Sequence, residues 1–252
     1  MKKLVSILFV CAVVLSGCGG SKSEDENKAL IVLTNAGYPP YEMVDEKGEL
    51  YGFDIDVMNR AAEIAGFEIE WKDMDFDAIP ESLRQGKGDV AIAGMTPSPE
   101  REEKVDFSVM YYTSEDMKNV VLTKKDSNLK TTADLKGTNV GVQMGTVQEM
   151  VVSDMEKDYE LTFKKLKGYA DLVQELNKGV IDAMIVEKAV AIDLMEKNTD
   201  LEYYVLEEGA ELAGNAMAFK KESELKADFD KAIKEMIDSG EMDELIQKWF
   251  NE

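Results

Sequence analysis

Leu83-Arg84-Gln85-Gly86-Lys87-Gly88-Asp89 and Leu176-Asn177-Lys178-Gly179-Val180-Ile181-Asp182 share the spacing L-x-x-G-x-x-D. Each stretch follows residues that read as a helix. Each leads into an apolar run that reads as a buried strand, Val90 to Ala93 in the first case and up to Val186 in the second. A helix–turn–strand unit used twice narrows the possible folds. It predicts two similar α/β lobes, each presenting a strand end to a shared cleft. The residue five places past Asp89 is Gly94, and the residue five places past Asp182 is Glu187. Both are expected at the cleft.

The rest of the chain fits that frame. Its 252 residues allow one large domain or two ordinary ones, with length to spare for a core. A formal charge of -22 repels nucleic acid and anionic lipid. The acids are scattered and mostly suit solvated helix faces. Histidine is absent, which removes the commonest general base, the commonest zinc ligand and every His-based triad. No metal cluster or cofactor motif is expected. No G-x-x-x-x-G-K loop is present either, so any ATP-driven step needs other subunits.

The two cysteines, Cys11 and Cys18, lie at the front, so no disulfide framework is expected. Lys2 and Lys3 precede an apolar run from Leu4 to Leu15, too short to span a membrane. Leu15-Ser16-Gly17-Cys18 then resembles a bacterial lipobox, with Cys18 as the lipidation site. Residues 1–17 read as a signal peptide and 18–28 as a flexible polar tether. The expected product is an extracytoplasmic body on a lipid anchor.

Several stretches carry binding chemistry. Ala93-Gly94-Met95-Thr96-Pro97-Ser98-Pro99-Glu100-Arg101 ends a strand in a glycine, then supplies a hydroxyl, a stiff turn and a guanidinium fork that matches a carboxylate. The alternative is a surface turn with a solvated arginine. Gly145-Thr146-Val147 opens a helix, whose free N–H groups and positive dipole end favour an anion. The loop Asn35-Ala36-Gly37-Tyr38-Pro39-Pro40-Tyr41-Glu42 follows a strand, with Tyr38 expected to face a ligand and Tyr41 to pack in the core. Asp54 reads as a helix N-cap. Phe53 before it reads as a hydrophobic staple or a stacking ring. In the C-terminal helices Phe229, Ile233, Met236 and Ile237 share one predicted face. A cleft holding both Arg101 and Glu187 suits a ligand with a carboxylate and an ammonium, as in an α-amino acid. Burying such a zwitterion requires each charge to be paired.

The chain resembles the polar amino-acid substrate-binding proteins of bacterial ABC importers, over about Ala29 to Trp249. The resemblance rests on Tyr38-Pro39-Pro40-Tyr41-Glu42, Gly52-Phe53-Asp54-Ile55-Asp56, Ala93-Gly94-Met95-Thr96 with Glu100-Arg101, Val105-Asp106-Phe107-Ser108, Asp134-Leu135-Lys136-Gly137, Gly145-Thr146 and Lys248-Trp249-Phe250, in this order and spacing. It implies an α/β fold of the two-lobe periplasmic-binding-protein-like (type II) kind, with central mixed sheets flanked by helices and two hinge-crossing strands. Lobe one would be 29–112 with 214–252, and lobe two 113–213. The implied function is capture of a polar L-amino acid by hinge closure, as a monomer, for delivery to an ABC permease and its ATPase subunits.

The same resemblance gives Arg101 the α-carboxylate, helped by Thr96 and the amide region of Thr146 and Val147. Glu187 and the Gly94 carbonyl would take the ammonium. Tyr38 and Phe53 would flank the side chain, and Asn35 and Gln143 would line its pocket. Two positions depart from the pattern. Many members that bind basic amino acids have aspartate where Asn35 stands, which weakens the case for lysine or arginine. Glu42 and the Tyr38 ring could still favour a cation. Glu187 replaces a commoner aspartate with a longer arm. Glutamine and arginine are the leading ligands. A dehydratase of the cyclohexadienyl-dehydratase kind, with Glu187 as acid or base, is the rival enzyme reading. A ligand-sensing partner of a membrane receptor is the other.

Overall fold

The computed structural model describes residues 29–114, 117–209 and 214–250. The leader, Cys18 and the whole of the predicted tether lie outside those residues. The chain opens with strand β1 (Leu30–Thr34), a small hairpin of β2 (Met43–Val44) and β3 (Leu50–Tyr51), helix α1 (Phe53–Ala65) and strand β4 (Ile69–Asp73). A 3-10 turn at Phe76–Ala78 runs into α2 (Ile79–Arg84), where Pro80 occupies the first turn. Then come β5 (Val90–Ala91), the short α3 (Pro99–Glu102) and β6 (Val105–Tyr112). The middle of the chain forms β7 (Asn119–Lys124), β8 (Asn139–Gln143), α4 (Val147–Met155), β9 (Thr162–Leu166), α5 (Tyr169–Asn177), β10 (Ala183–Glu187), α6 (Lys188–Lys197) and β11 (Leu201–Val205). Strand β12 (Asn215–Lys220) and helices α7 (Leu225–Ser239) and α8 (Glu241–Phe250) complete it.

Two five-stranded sheets result, with the orders β4-β1-β5-β12-β6 and β9-β8-β10-β7-β11. Their strand senses match position by position. In the first, β4, β1 and β5 are parallel and β12 is antiparallel to both neighbours. In the second, β9, β8 and β10 are parallel and β7 is antiparallel to both neighbours. The chain leaves the first sheet after β6 and re-enters it at β12.

The repeated turn has a repeated structural task. Gly86 and Gly179 both take left-handed backbone, at φ 70° and 71°. Their N–H groups donate to the carbonyls of Leu83 and Leu176. Asp89 then accepts from the Ile31 N–H through its carboxylate at 2.7 Å, while its own N–H donates to the Ile31 carbonyl. Asp182 repeats both bonds with Asn139, the carboxylate contact at 2.8 Å. Ile31 lies at the start of β1 and Asn139 at the start of β8, so each aspartate pins the parallel neighbour of the strand it introduces. That register carries the ends of β5 and β10 toward the same cleft.

Helix α1 stops at Gly66, in left-handed backbone as expected. Its start differs from the predicted Asp54 cap. Gly52 is the capping residue, at φ 141°, and a Cβ there would lie 2.2 Å from the Tyr41 carbonyl oxygen. The Pro40 and Tyr41 carbonyls accept from the Phe53 and Asp54 amides at 3.0 and 2.9 Å. Backbone therefore does the capping and leaves the Asp54 side chain free. The fully buried Asp54 carboxylate accepts instead from the Gly94 N–H at 2.6 Å and from the Tyr111 hydroxyl at 2.9 Å. Burial lifts its pKa to about 6, against the lowering effect of those bonds. In α7, Phe229, Ile233 and Met236 are buried as predicted, but Ile237 is 45% exposed and belongs to the outer face. Gly240 ends α7 in left-handed backbone.

Two measurements check this account. Asp89→Ala lowers stability by about 1–2 kcal/mol by orphaning a partly buried amide. Asp182→Ala, at an exposed site, costs less, and both read as shifts of the urea midpoint. Asp54 favours its protonated form in the fold. Its contribution to stability is present below about pH 4 and is lost as pH rises through about 6. Relative to Asp54→Asn, the wild type therefore loses on the order of 2–3 kcal/mol between those limits.

Candidate functional site

A cavity lies where the ends of β1 and β5 meet the ends of β8 and β10. It is built mainly from loops that follow strands, where parallel sheets expose chain for binding. Arg101 sits on α3, whose N-cap Ser98 accepts from the Arg101 N–H. Its guanidinium is 7% exposed and donates to the Thr96 carbonyl at 2.6 Å and the Gly145 carbonyl at 2.9 Å, which links the two sheets. It lies over the Phe76 ring at 5.1 Å. Among the described residues no carboxylate pairs with it. Burial lowers its pKa to about 10, with the Glu100 charge opposing. The guanidinium thus stays charged, with no carboxylate counter-ion in contact among the described residues.

Glu187 is the last residue of β10 and only 2% exposed. One carboxylate oxygen accepts from the Tyr38 hydroxyl at 3.1 Å and the other from the Tyr41 hydroxyl. Burial raises its pKa to about 7, while the two hydroxyl bonds pull the other way. Glu42 is wholly buried, and neither of its oxygens receives a hydrogen bond from a protein donor. Its carboxyl faces that of Asp54. Desolvation, followed by that neighbouring acid, holds it well above the ordinary carboxylate range.

Gly94 has φ +53°, and a Cβ there would lie 2.6 Å from the Tyr38 ring, so only glycine lets the strand end pack so closely. Thr146 caps α4 by accepting from the Glu149 N–H at 3.2 Å and donating to the Gln143 carbonyl at 2.7 Å. Val147 and Gln148 then bring the first turn of α4 to the cavity wall. Gln143 donates to the Asn35 side-chain oxygen at 2.8 Å, and Asn35 donates to the Met74 carbonyl at 2.8 Å. That pair is a second polar link between the sheets.

Asn35, Tyr38, Gly94, Thr96, Arg101, Gln143, Thr146, Val147 and Glu187 all line this one cavity. Phe53 does not. It is the first residue of α1, fully buried, and packs edge-on against Tyr112 and Phe250 at 5.4 and 5.0 Å. The backbone cap is the reason: holding α1 against the Pro40 and Tyr41 carbonyls turns Phe53 inward, away from the expected ligand-facing position. Phe76 and Tyr169 supply rings at the wall that the sequence reading did not single out, together with Gln148. Both rings stand at helix beginnings that follow a strand, the one signal that could have found them. Tyr38 is stacked with Tyr41 at 5.0 Å and with Tyr169 at 5.2 Å. Tyr41 is fully buried, as expected of a core residue, yet its hydroxyl reaches Glu187.

Residues 30–252 match the family model of the bacterial extracellular solute-binding proteins, family 3. The chain is 41% identical over 255 residues to the arginine-binding extracellular protein ArtP of Bacillus subtilis, covering 99% of this chain and 98% of that protein. It is 33% identical to the L-cystine-binding protein TcyJ of Escherichia coli, over 89% of this chain and 84% of that one. A solved substrate-binding protein of an amino acid ABC transporter superposes with a TM-score of 0.83 at 36% identity, covering 89% of this chain and 100% of that one. An ancestral arginine-binding protein bound to arginine superposes at 0.81 with 37% identity, over 88% and 98% of the two chains. With sequence, sheet order and cavity all in agreement, the chain belongs to the bacterial extracellular solute-binding proteins, family 3.

Proposed function

We propose that this protein captures an L-amino acid with a cationic side chain, arginine first, and delivers it to an ABC permease. The observation that carries the reading is a single cavity with two unmatched charges. Arg101 has no carboxylate partner and Glu187 has no cationic partner among the described residues. An α-carboxylate and an α-ammonium complete both. Thr96 and the first turn of α4 would assist at the carboxylate, and the Gly94 carbonyl at the ammonium. Glu42 and the rings of Tyr38, Tyr169 and Phe76 remain for the side chain, an acid and aromatic faces that suit a guanidinium. A cation beside Glu42 would restore its ionised form. Asn35 is committed to Met74 and Gln143, so its neutrality leaves this arrangement intact. The arginine-binding relative and the arginine-bound structure support the same ligand class.

Residues 29–112 with 214–252 and residues 113–213 would act as the two lobes. Contacts from both sides would then make closure and binding one event. Lipidation at Cys18 would hold the extracytoplasmic monomer at the membrane, with solute released unchanged. Glutamine is the second ligand to test. A dehydratase acting through Glu187, or a sensory partner of a membrane receptor, is an outcome the same experiments expose.

A thermal-shift screen of the ligand-stripped protein from Cys18 onward, against the common L-amino acids, shows a selective rise with arginine. At a hundredfold excess over the dissociation constant the gain is about 2.7 kcal/mol. Arg101→Ala and Glu187→Gln each weaken binding by about a hundredfold or more in calorimetry, since each leaves a ligand charge buried and unpaired. No shift with any amino acid overturns the reading, and loss of the added arginine with time replaces it with the enzyme. Cys18→Ser moves the expressed full-length protein from the membrane fraction to the soluble one; unchanged partitioning refutes the anchor.

A further inference from the structure

Glu187 enters the cavity from β10 of the second sheet, and Tyr41 meets it from the loop after β1 of the first. The Tyr41 ring is held on several sides. It stacks with Tyr38 at 5.0 Å and packs edge-on against Phe53 and Tyr112 at 6.2 Å each and Phe250 at 5.3 Å. With the ring fixed, the position of its hydroxyl is fixed. A glutamate arm has several free torsions before its carboxylate, and ordering it costs entropy. Tyr38, the other donor to Glu187, lines the cavity; Tyr41 does not. Its hydroxyl reaches the site only through the acid.

We propose that Tyr41 is a positioning residue for ligand recognition. Its hydroxyl, clamped in the aromatic core of one sheet's half, sets the reach and tilt of the Glu187 carboxylate from the other. The remaining lone pairs of that carboxylate then face the ligand's ammonium. This rests on the reading of Glu187 as the ammonium's partner.

The surroundings of Glu187 define what its titration reports. Tyr38, Tyr41 and Glu42 face it from the first loop, Asp54 from α1, Tyr111 from β6 and Tyr169 from α5. Lys188, Asp193 and Glu196 of α6 border a groove on its other flank. Among the described residues, the side-chain donors to its carboxylate are the two tyrosines. Both bonds favour the ionised form, so removing one raises the pKa of the acid.

Tyr41→Phe tests the proposal while keeping the ring and its packing. In the ligand-free protein, NMR of the Glu187 carboxyl shows its titration moved to higher pH. In calorimetry at neutral pH, arginine binding weakens about tenfold, as for one lost hydrogen bond to a charged group. The des-amino analogue guanidinovalerate, which lacks the ammonium, binds Tyr41→Phe and wild type alike. In a Glu187→Asp background, whose shorter arm does not meet the hydroxyl, Tyr41→Phe has no further effect. Equal loss with both ligands, or additive loss in the double variant, makes Tyr41 merely structural and overturns the proposal. An unmoved titration does the same. A moved titration in a protein that binds no amino acid keeps the bond, but refutes its part in recognition and the functional reading with it.

Discussion

Two buried charges of opposite sign share one cavity, and neither is neutralised by the other or by a third charged side chain among the described residues. Arg101 rests on two backbone carbonyls and an aromatic face. Glu187 rests on two tyrosine hydroxyls. Taking ions out of water is costly unless each finds a partner. Neutral dipoles meet only part of that cost, and the residual field suits a small zwitterion. The surrounding structure brings these two groups, from separate sheets, into a common space.

The duplicated turn is how the fold does this. Asp89 and Asp182 each anchor a strand to its parallel neighbour by the same pair of bonds, one from the carboxylate and one from the backbone N–H. The sheets then share strand order and sense. Equivalent strand ends emerge on equivalent edges, and one carries Gly94 while the other carries Glu187. Polar links across the cleft, Arg101 to the Gly145 carbonyl and Gln143 to Asn35, come from the loops at those ends. The repeat supplies position, and the divergent loops supply chemistry.

A dense aromatic wall supports the acidic side of the cavity. Tyr38, Tyr41, Tyr169, Phe53, Tyr112 and Phe250 contact one another in a continuous series of stacked and edge-on pairs. Rings pack well in a core, and buried phenols require partners. Here the hydroxyls of Tyr38, Tyr41 and Tyr111 find carboxylates, so the core and the site use the same side chains. The price is a set of buried acids held above their ordinary range, which ties local stability to pH.

What the sequence determined by itself was local and periodic. Glycines after helices, an aspartate before each buried strand and alternating apolar runs are properties of neighbouring residues, and they fix element identity through backbone geometry. Gly94, Arg101, Thr146 and Glu187 were legible as cleft-lining residues because each stands at a strand end or helix start, where exposure to a cleft follows from topology. Direction across the fold was not legible. Phe53 and Phe76 are equally aromatic and equally close to a helix start. The Pro40 and Tyr41 carbonyls turn one into the core, and the loop after β4 brings the other to the cavity. Asp54 reads as a cap on any local rule; long-range backbone contacts took that task and sent its carboxylate to Gly94. The union of Tyr41 with Glu187 spans 146 residues of chain. Only the tertiary structure decided these matters, because which face of a side chain meets the cavity depends on contacts between segments far apart in sequence.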